Sequence, residues 1–296
     1  MLLLITNSSD GTGNLLVEKL DKKVFRLNYD IFNDYSLELT PNYWRIKNPT
    51  GFSISSASVS SCFWWKAFNT QIENQDNYVV QEVKYIFREL YNWCRLKNLV
   101  KGNSFEFHNL FGKNTLLEIA KNYFVIPETL VTLNCEGVKN LSAEFTVAKS
   151  LSSALTNTKA SLLTTEVDVN RLNPEFPWYL QEKLISDFDV TVFVCNKHLF
   201  AYQRSREKLK GLDWRGEQSF DSNVKEWFKI ILSQHEQNQI HKFCNDVNVN
   251  WGRLDFMKVK NDLVFLEFNA NGQWLFLDPD NENKMIDTVV KYLTSS

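Results

Sequence analysis

Apolar and polar residues alternate at strand or helix spacing along most of the chain. In the first part, apolar runs predict a strand at Leu2–Thr6, a helix at Asn14–Leu20 and a second strand at Val24–Asn28. Alternation at 37–47 and again at 51–65 predicts further strands or a hairpin. A strand, a helix and a strand in this order are typical of the opening of a small α/β domain.

The middle of the chain carries two helical patterns, each followed by strand patterns. Apolar residues recur at helical spacing over Asn77–Leu99, which predicts a long amphipathic helix, and a second helix is predicted at Phe111–Tyr123. Short apolar runs at Thr129–Leu133 and Phe145–Lys149 predict strands. These patterns predict a mixed α+β region after the opening domain.

The segment 251–277 predicts two strands joined by a polar turn at Val259–Asp262. The second strand, Leu263–Asn269, is apolar except for Glu267 and Asn269. Because strand side chains alternate with a period of two, both polar groups are expected on one face. Strict alternation puts Leu263 and Phe265 on that face as well, and it puts Val264, Leu266 and Phe268 on the other.

Asp255 lies among apolar residues of the preceding predicted strand, so two carboxylates and one amide fall within strands expected to be buried. Burying such groups costs free energy unless something cationic satisfies them. Oxygen donors of this kind suit Mg²⁺, which also coordinates nucleotide phosphates. We therefore predict that Asp255, Glu267 and Asn269 bind Mg²⁺ and that the metal holds a nucleotide.

Two other interpretations of these carboxylates are open. They are either solvated groups on a half-exposed strand or the acid and nucleophile of a glycosidase. The first makes the combination of Asp255, Glu267 and Asn269 accidental, although the segment Asn271–Trp274 follows it at once. The second explains neither Asn269 nor a nearby lysine pattern, so we prefer the magnesium interpretation.

The lysine pattern consists of Lys149 and the small-residue loop 150–154 that follows it. Lys149 is the last residue of a predicted strand. A lysine at this position can meet phosphate oxygens while the amide hydrogens of the loop point at the same anion. An ordinary solvated lysine is the alternative, and it is the usual state of a single lysine. Together with the magnesium pattern, Lys149 favours a nucleotide site.

Composition narrows the class of protein. The chain has 296 residues, enough for a sizeable core in two or three subdomains, and its net charge of −2 predicts no attraction to nucleic acid. The apolar start Met1–Thr6 is too short for a signal peptide or a membrane-spanning helix, so no membrane partner is expected. Five cysteines without a CxxC pair fit reduced thiols in the cytoplasm.

The segment E-F-N-A-N-G-Q-W at 267–274, with Asp255 before it, resembles the metal strands of the ATP-grasp superfamily. Within that superfamily the chain is most similar to the microviridin-type maturases, ligases that modify ribosomally made peptides. The resemblance covers the chain from about residue 105 onward and is weaker before that point. It implies an ATP-grasp fold of mixed α+β and α/β class, with an N-terminal α/β domain at 1–105, a central lid subdomain at 106–180 and a C-terminal subdomain at 181–296.

The resemblance also implies which residues bind ATP and Mg²⁺. Lys113, followed by a helix and the matching sequence Ile126–Thr129, corresponds to an early phosphate lysine, and Lys149 to a later one. The strand 178–185 corresponds to the hinge that contacts adenine. The implied set is Lys113, Lys149, Ser152 and Ser153 for phosphates; Gln181, Glu182 and Leu184 for adenine; Asp189, with Asp187 as its alternative, for the ribose; and Asp255, Glu267 and Asn269 for Mg²⁺.

Three positions depart from the family pattern. Ala154 replaces a glycine, the segment Phe63–Ala67 lacks an arginine and a proline, and Thr191 replaces an arginine. Phosphate charge needs cationic compensation, which arginine supplies with two parallel hydrogen bonds. Four arginines are candidates for this role, and Arg215 is preferred because Asp213-Trp214-Arg215 matches a family element; the others are Arg204, Arg206 and Arg253.

The implied activity is ATP-dependent ligation through an acyl phosphate, in which an amine or a hydroxyl finally displaces phosphate to form an amide or an ester. The implied partner is a precursor peptide bound through its leader, and the resemblance is compatible with a homodimer. Two alternatives stay open. One is a small-molecule or glutamate ligase of the same superfamily, and the other is a nucleotide-binding regulatory protein without turnover.

Overall fold

A computed structural model describes residues 1–69, 72, 75–104, 107–133, 146–152, 163–209, 211–213 and 226–295. The chain forms two compact units, Met1–Phe105 with Asn271–Ser296, and Glu106–Ala270. No helix in these described ranges is long and apolar enough to cross a membrane. The division into 1–105, 106–180 and 181–296 stays a prediction, and the compact units differ from it in placing the last residues with the first.

Six helices and sixteen strands are described. In the first part of the chain they are β1 (Leu2–Thr6), α1 (Gly11–Leu20), β2 (Val24–Asn28), β3 (Ser36–Leu39), β4 (Trp44–Lys47), β5 (Ser53–Ser55), β6 (Ser61–Trp64), α2 (Asn77–Leu96), β7 (Val100–Lys101), α3 (Phe107–Leu110) and α4 (Lys113–Ala120). The later elements are β8 (Thr129–Thr132), β9 (Thr146–Lys149), β10 (Thr165–Glu166), β11 (Trp178–Glu182), β12 (Phe188–Cys195), β13 (His198–Ser205), β14 (Phe228–Lys229), α5 (Gln234–Asp246), β15 (Trp251–Val259), β16 (Asp262–Asn269) and α6 (Met285–Thr294).

The first unit contains a parallel sheet in the order β2-β1-β6-β7 and a small antiparallel sheet, β3-β4-β5. The strands at Leu2–Thr6 and Val24–Asn28 are confirmed, and the alternation over 37–65 resolves into four strands. The predicted helix 77–99 is confirmed but ends at Leu96, because Asn98 adopts a left-handed φ of 56°. Its buried face packs into the core of this unit.

The second unit contains two sheets, in the orders β10-β9-β11-β8 and β14-β13-β12-β15-β16. The helices α4 and α5 supply Leu116, Leu117, Ile240 and Phe243 to a core that also includes the valines of β12. The predicted helix 111–123 is shorter, since α4 begins after Gly112 and ends at Ala120. This core covers one face of the five-stranded sheet. Thr191, Arg253 and Asp255 lie on the other face, here called the polar face, together with the buried rings of Phe193 and Trp251.

A β-bulge in β16 decides which side chains reach that polar face. Asp255 pairs with Glu267, but Phe256 pairs with Phe265, so Leu266 is an extra residue in the ladder. The expectation that strict alternation places Leu263 and Phe265 beside Glu267 is therefore wrong, because both belong to the core. Bulges of this kind re-aim side chains and are frequent next to active sites.

Gly252 of β15 occupies a position where a Cβ would be both strained and crowded. Its φ is +131°, and a Cβ there would lie 2.5 Å from Cζ of Phe268 and 3.0 Å from the carbonyl oxygen of Asn269. We expect Gly252→Ala to lower the free energy of unfolding by about 2 kcal/mol through backbone strain and crowding. Urea denaturation measures this loss.

Gly11→Ala is the matched control for that substitution. A Cβ at Gly11 would have nothing within 4 Å, so we expect a change below about 0.5 kcal/mol. Equal stabilities for the two variants would show that the crowding at Gly252 has no energetic consequence.

Candidate functional site

The three predicted metal-binding residues lie side by side on one face of the five-stranded sheet. Asp255 pairs with Glu267 across β15 and β16, and Asn269 occupies the next position on that face. Nδ2 of Asn269 donates to Oδ2 of Asp255 at 2.7 Å and to Oε1 of Glu267 at 3.0 Å. The structure therefore brings together the two carboxylates and the amide that the sequence pattern singled out.

Asp255 is held from two further sides. Nε and Nη2 of Arg253 donate to its Oδ1 and Oδ2 at 3.0 and 3.1 Å, which is a two-pronged ion pair. Oγ1 of Thr191, which faces Asp255 from β12, donates to Oδ1 at 2.8 Å. Thr191, Arg253 and Asn269 therefore orient this carboxylate from three sides.

Lys113, the first residue of α4, links three parts of the site. Its Nζ lies 3.2 Å from Oε2 of Glu267 and donates to the carbonyl oxygen of Ser150 at 2.8 Å. Ser150 begins the loop after Lys149, so the ammonium group of Lys113 connects the start of α4, this loop and β16. These contacts span residues far apart in the chain, and no local pattern predicts them.

Lys149 ends β9, where it pairs with Tyr179 of β11. Burial alone would raise the pKa of the Glu267 carboxyl, but the charges of Lys113 and Lys149 and the hydrogen bond from Asn269 lower that pKa to about 2. Burial and the Glu267 charge also raise the pKa of Tyr179. Glu267 is therefore ionised at neutral pH. The contribution of its ionised carboxylate to the free energy of unfolding is lost only as the pH falls from about 4.5 toward 2.

The donor set fits a hard divalent cation. Across the described residues, no three or more His, Cys, Asp or Glu side chains form a cluster suited to a metal, and the set consists of two carboxylates and an amide. Oxygen donors of this kind, completed by phosphates and water, match Mg²⁺ better than Zn²⁺. Asn269 directs its amide nitrogen at both carboxylates, and a rotation of that amide would present its oxygen.

A cavity of about 660 Å³ lies where the chain leaves β11. Its lining includes Glu182, Leu184 and Asp187 together with Lys258 and Lys260 at the β15–β16 turn. Two of the three predicted adenine residues therefore line a concave surface of a size suited to a small ligand. The magnesium candidates do not line this cavity.

Gln181 and Asp189 are placed differently. Gln181 is buried, and its Nε2 donates to Oγ1 of Thr129 at 3.0 Å and to the hydroxyl of Tyr179 at 3.1 Å. Asp189 accepts from Nη1 of Arg206 at 2.6 Å, although burial still raises the pKa of its carboxyl. Neither residue lines the cavity described above, whereas Asp187, the alternative ribose residue, does.

The arginines proposed to compensate for the arginine missing at position 191 lie in different surroundings. Arg204 and Arg206 form ion pairs with Glu226 and Asp189, while Arg253 lies at the magnesium candidates. Ser153 and Arg215 lie outside the described residues, and Ser152 is described in the lysine loop, where its carbonyl accepts from Ser150. Sequence reasoning ranked Arg253 below Arg215, although the spacing of two residues from Asp255 on one strand was a signal for it.

Comparison with known proteins identifies the fold. A ribosomal-peptide-associated ATP-grasp ligase of Chryseobacterium gregarium, solved with ADP and a leader and core peptide, has a TM-score of 0.83 and 21% identity, covering 99% of this chain and 96% of that chain. The macrocyclase MdnC of Microcystis aeruginosa, bound with precursor peptide MdnA, has a TM-score of 0.80 and 20% identity over 100% and 99%. The ligase PsnB with minimal precursor, Mg and ADP has a TM-score of 0.68 and 17% identity over 99% and 97%. The resemblance to ATP-grasp proteins is thus confirmed at the level of the fold.

Sequence comparison adds little to this result. No family model matches the chain. The subunit RecC of the RecBCD enzyme of Buchnera aphidicola subsp. Schizaphis graminum is 25% identical over an alignment of 304 positions, gaps included, and this alignment covers 86% of this chain. The chain spans about a quarter of the length of that subunit, 27%. This partial match names no residue of the site, so the site is interpreted from its own geometry.

Proposed function

We propose that this chain, which has the fold of the ATP-grasp peptide ligases, is an ATP-dependent ligase that activates a carboxylate of a ribosomally made precursor peptide. The observation that carries the proposal is the position of Lys113, whose ammonium group contacts both Glu267 and the lysine loop. In the proposed site this cation would lie between a carboxylate that holds Mg²⁺ and a loop that holds phosphates, where it would offset the negative charge of a triphosphate.

Different residues of the second unit would bind the metal, the phosphates, the adenine and the ribose of Mg²⁺–ATP. Asp255, Glu267 and Asn269 would hold Mg²⁺, which offsets charge on the phosphate oxygens when bound. Lys113 and Lys149 would hold the phosphates together with the loop at Ser152 and Ser153. In the cavity, Glu182 and Leu184 would contact adenine. Asp187 would bind the ribose hydroxyls, with Asp189 as the alternative. Gln181 would stabilise β11 through its hydrogen bonds to Thr129 and Tyr179.

The reaction needs positioning and charge compensation more than a side-chain nucleophile. A substrate carboxylate oxygen attacks the γ-phosphorus, and the bond to the β-phosphate oxygen breaks, giving an acyl phosphate and ADP. An amine or a hydroxyl then attacks the acyl carbon, phosphate leaves, and one proton is released. Lys113 and Lys149 would keep the phosphate oxygens in place during the first step.

The same proposal includes the domain boundaries, the way the peptide binds and the type of bond formed. The N-terminal domain, central lid and C-terminal subdomain would follow the boundaries 105/106 and 180/181, and the peptide would bind through its leader. Support comes from the similar ligases, which were solved with leader, core or precursor peptides. The bond formed would be an amide or an ester.

Incubation with ATP, Mg²⁺ and the peptide encoded beside the gene tests this function. We expect ADP and a product lighter by one water for each bond formed, and hydroxylamine should convert the activated carboxylate to a hydroxamate. A ligase acting on small molecules would give ADP and hydroxamate with a small carboxylate but no change in the peptide. Tight ATP binding without product from either substrate would favour the regulatory alternative.

The two lysines give a separate prediction for binding. We expect Lys113→Ala and Lys149→Ala each to weaken ATP binding by about 1.5–3 kcal/mol, the value of a charge-assisted hydrogen bond. Titration calorimetry with Mg²⁺–ATP measures the loss.

Lys121→Ala is the matched control, because Lys121 follows the same helix and forms an exposed pair with Glu118. Its removal should change ATP binding by less than about 0.5 kcal/mol. Losses that small for both Lys113 and Lys149 would mean that they do not contact phosphate.

A further inference from the structure

The residues 183–187, here called the connecting segment, join β11 to β12 and form part of the wall of the 660 Å³ cavity. All five of them line this cavity, together with residues 258–260 at the end of the β15–β16 hairpin. Main-chain N–H and C=O groups are strong hydrogen-bonding groups, and the backbone sets their directions. The path of the connecting segment therefore determines which donors and acceptors a ligand in the cavity meets.

Ser186 ties the connecting segment to β15. Its Oγ donates to the carbonyl oxygen of Lys258 at 2.6 Å, lies 2.9 Å from the carbonyl oxygen of Phe188, and accepts from the N–H of Phe188 at 3.2 Å. Phe188 and Lys258 are partners at the end of the β12–β15 ladder. The hydroxyl thus connects the N–H of one partner with the C=O of the other, which it can do because it is a donor and an acceptor at once.

The ends of the connecting segment have two further anchors, and both are made by the main chain. The N–H of Glu182 donates to the carbonyl oxygen of Glu128 at 2.9 Å, and the N–H of Arg206 donates to the carbonyl oxygen of Asp187 at 2.9 Å. Substitution of a side chain leaves such bonds in place unless proline is introduced. The anchor at Ser186 differs from them because it depends on one side-chain hydroxyl.

We propose that Ser186 is a positioning residue, which fixes Leu184, Ile185 and Asp187 where they meet the base and the ribose of the nucleotide. This inference rests on the proposed ATP-dependent ligase function, in which the cavity holds adenine and ribose. Ser186 acts through the path of the connecting segment, since its hydroxyl hydrogen is given to a carbonyl oxygen of the protein.

A wall with fixed main-chain groups distinguishes adenine from guanine. Adenine has an amine donor at the position where guanine has a carbonyl acceptor, so groups placed for one base leave polar groups of the other unpaired. A wall that is free to shift accommodates either base. Loss of the Ser186 anchor is therefore expected to reduce the preference for ATP over GTP.

A purely structural role for Ser186 would have a different result. If the hydroxyl only stabilised the start of β12, its removal would lower the melting temperature and change the Kd values for ATP and GTP by the same factor. The two nucleotides carry the same ribose and triphosphate, so the ratio of their Kd values reports on the base alone.

The experiment uses the full chain with Ser186→Ala, which removes the hydroxyl, and Ser186→Thr, which keeps it. Ser205→Ala is the matched control, because Oγ of Ser205 also accepts from the N–H two residues later, at 3.2 Å, but Ser205 does not line the 660 Å³ cavity. Calorimetry gives the Kd for ATP and for GTP, both with Mg²⁺, and thermal melting reports folding.

We expect the wild-type protein to prefer ATP and Ser186→Ala to reduce that preference about tenfold, which is at the upper end of what one intramolecular hydrogen bond contributes. Ser186→Thr and Ser205→Ala should keep the wild-type preference. If Ser186→Ala does not fold, Ser186→Cys takes its place, because a thiol of similar size is only a weak donor.

Three results would overturn the inference: a wild-type protein without preference for ATP, an unchanged preference in Ser186→Ala or its cysteine substitute, or an equal loss in Ser186→Thr or Ser205→Ala. In each case the wild-type protein still binds Mg²⁺–ATP, so the proposed function would survive. Wild-type protein that binds neither nucleotide would instead reject the proposed function and this inference together.

Discussion

Replacing Glu267 with glutamine is expected to weaken Mg²⁺–ATP binding by about 100-fold or more. Even residues that only support metal ligands typically change metal affinity 10- to 100-fold, so a ligand should lie at or beyond the upper end. Glu267 accepts from Asn269 and pairs with Lys113, so in the proposed site its charge would organise both the metal side and the phosphate side. Calorimetry with Mg²⁺–ATP measures the affinity, and circular dichroism checks that the fold persists.

The matched control is Glu118→Gln. Glu118 pairs with Lys121 on the surface of α4, and its side chain is 68% exposed. Exposed pairs of this kind contribute little, so its nucleotide affinity should equal that of the wild type. If Glu267→Gln binds Mg²⁺–ATP as tightly as the wild type, Glu267 is not a metal ligand. Its ion pair with Lys113 would then have only a structural role.

The second large effect is expected for Asp255→Asn, and it concerns stability as well as binding. The substitution leaves the guanidinium of Arg253, whose side chain is 12% exposed, without its carboxylate. Breaking a buried ion pair from one side typically costs 3–5 kcal/mol. Because the side chain of Asp255 is 20% exposed, we expect a loss of about 3 kcal/mol in the free energy of unfolding.

Urea unfolding at neutral pH measures this loss, with Asp287→Asn as the control. Asp287 forms an exposed pair with Lys284 at 3.8 Å, and its removal should cost less than about 0.5 kcal/mol. Glu267→Gln should be less destabilising than Asp255→Asn, since Lys113 is more exposed than Arg253 and can reach water. If Asp255→Asn is as stable as the wild type, the ion pair between Arg253 and Asp255 contributes nothing to the free energy of unfolding.

The strand patterns carried most of the information about the site. Glu267 and Asn269 lie two residues apart, and the period of a strand alone places them on one face, as the structure confirms. The same rule failed for Phe265 because a bulge depends on how β15 and β16 pair, and pairing is a property of two strands together. One extra residue, Leu266, was enough to reverse the face of every position before it.

The predicted adenine hinge shows the same limit. The resemblance implied it at 178–185, yet only the packing of β11 between β8 and β9 decides that Gln181 points at Tyr179 and Thr129 while Leu184 lines the cavity. Side-chain direction at the end of a strand depends on the sheet around it.

The sequence by itself determined the first strands and the long helix of the opening domain, the two carboxylates and the amide of the metal candidates, and Lys149 before its loop, because periodicity and residue chemistry act over a few neighbouring positions. Lys113 was found only through the family resemblance, and the helices α5 and α6 were not predicted. Only the tertiary structure decided that Lys113 meets Glu267, that Arg253 and Thr191 meet Asp255, and that Phe265 joins the core. These contacts depend on strand register and on helix packing across the unit, and both are fixed by the burial of apolar surface in the whole fold.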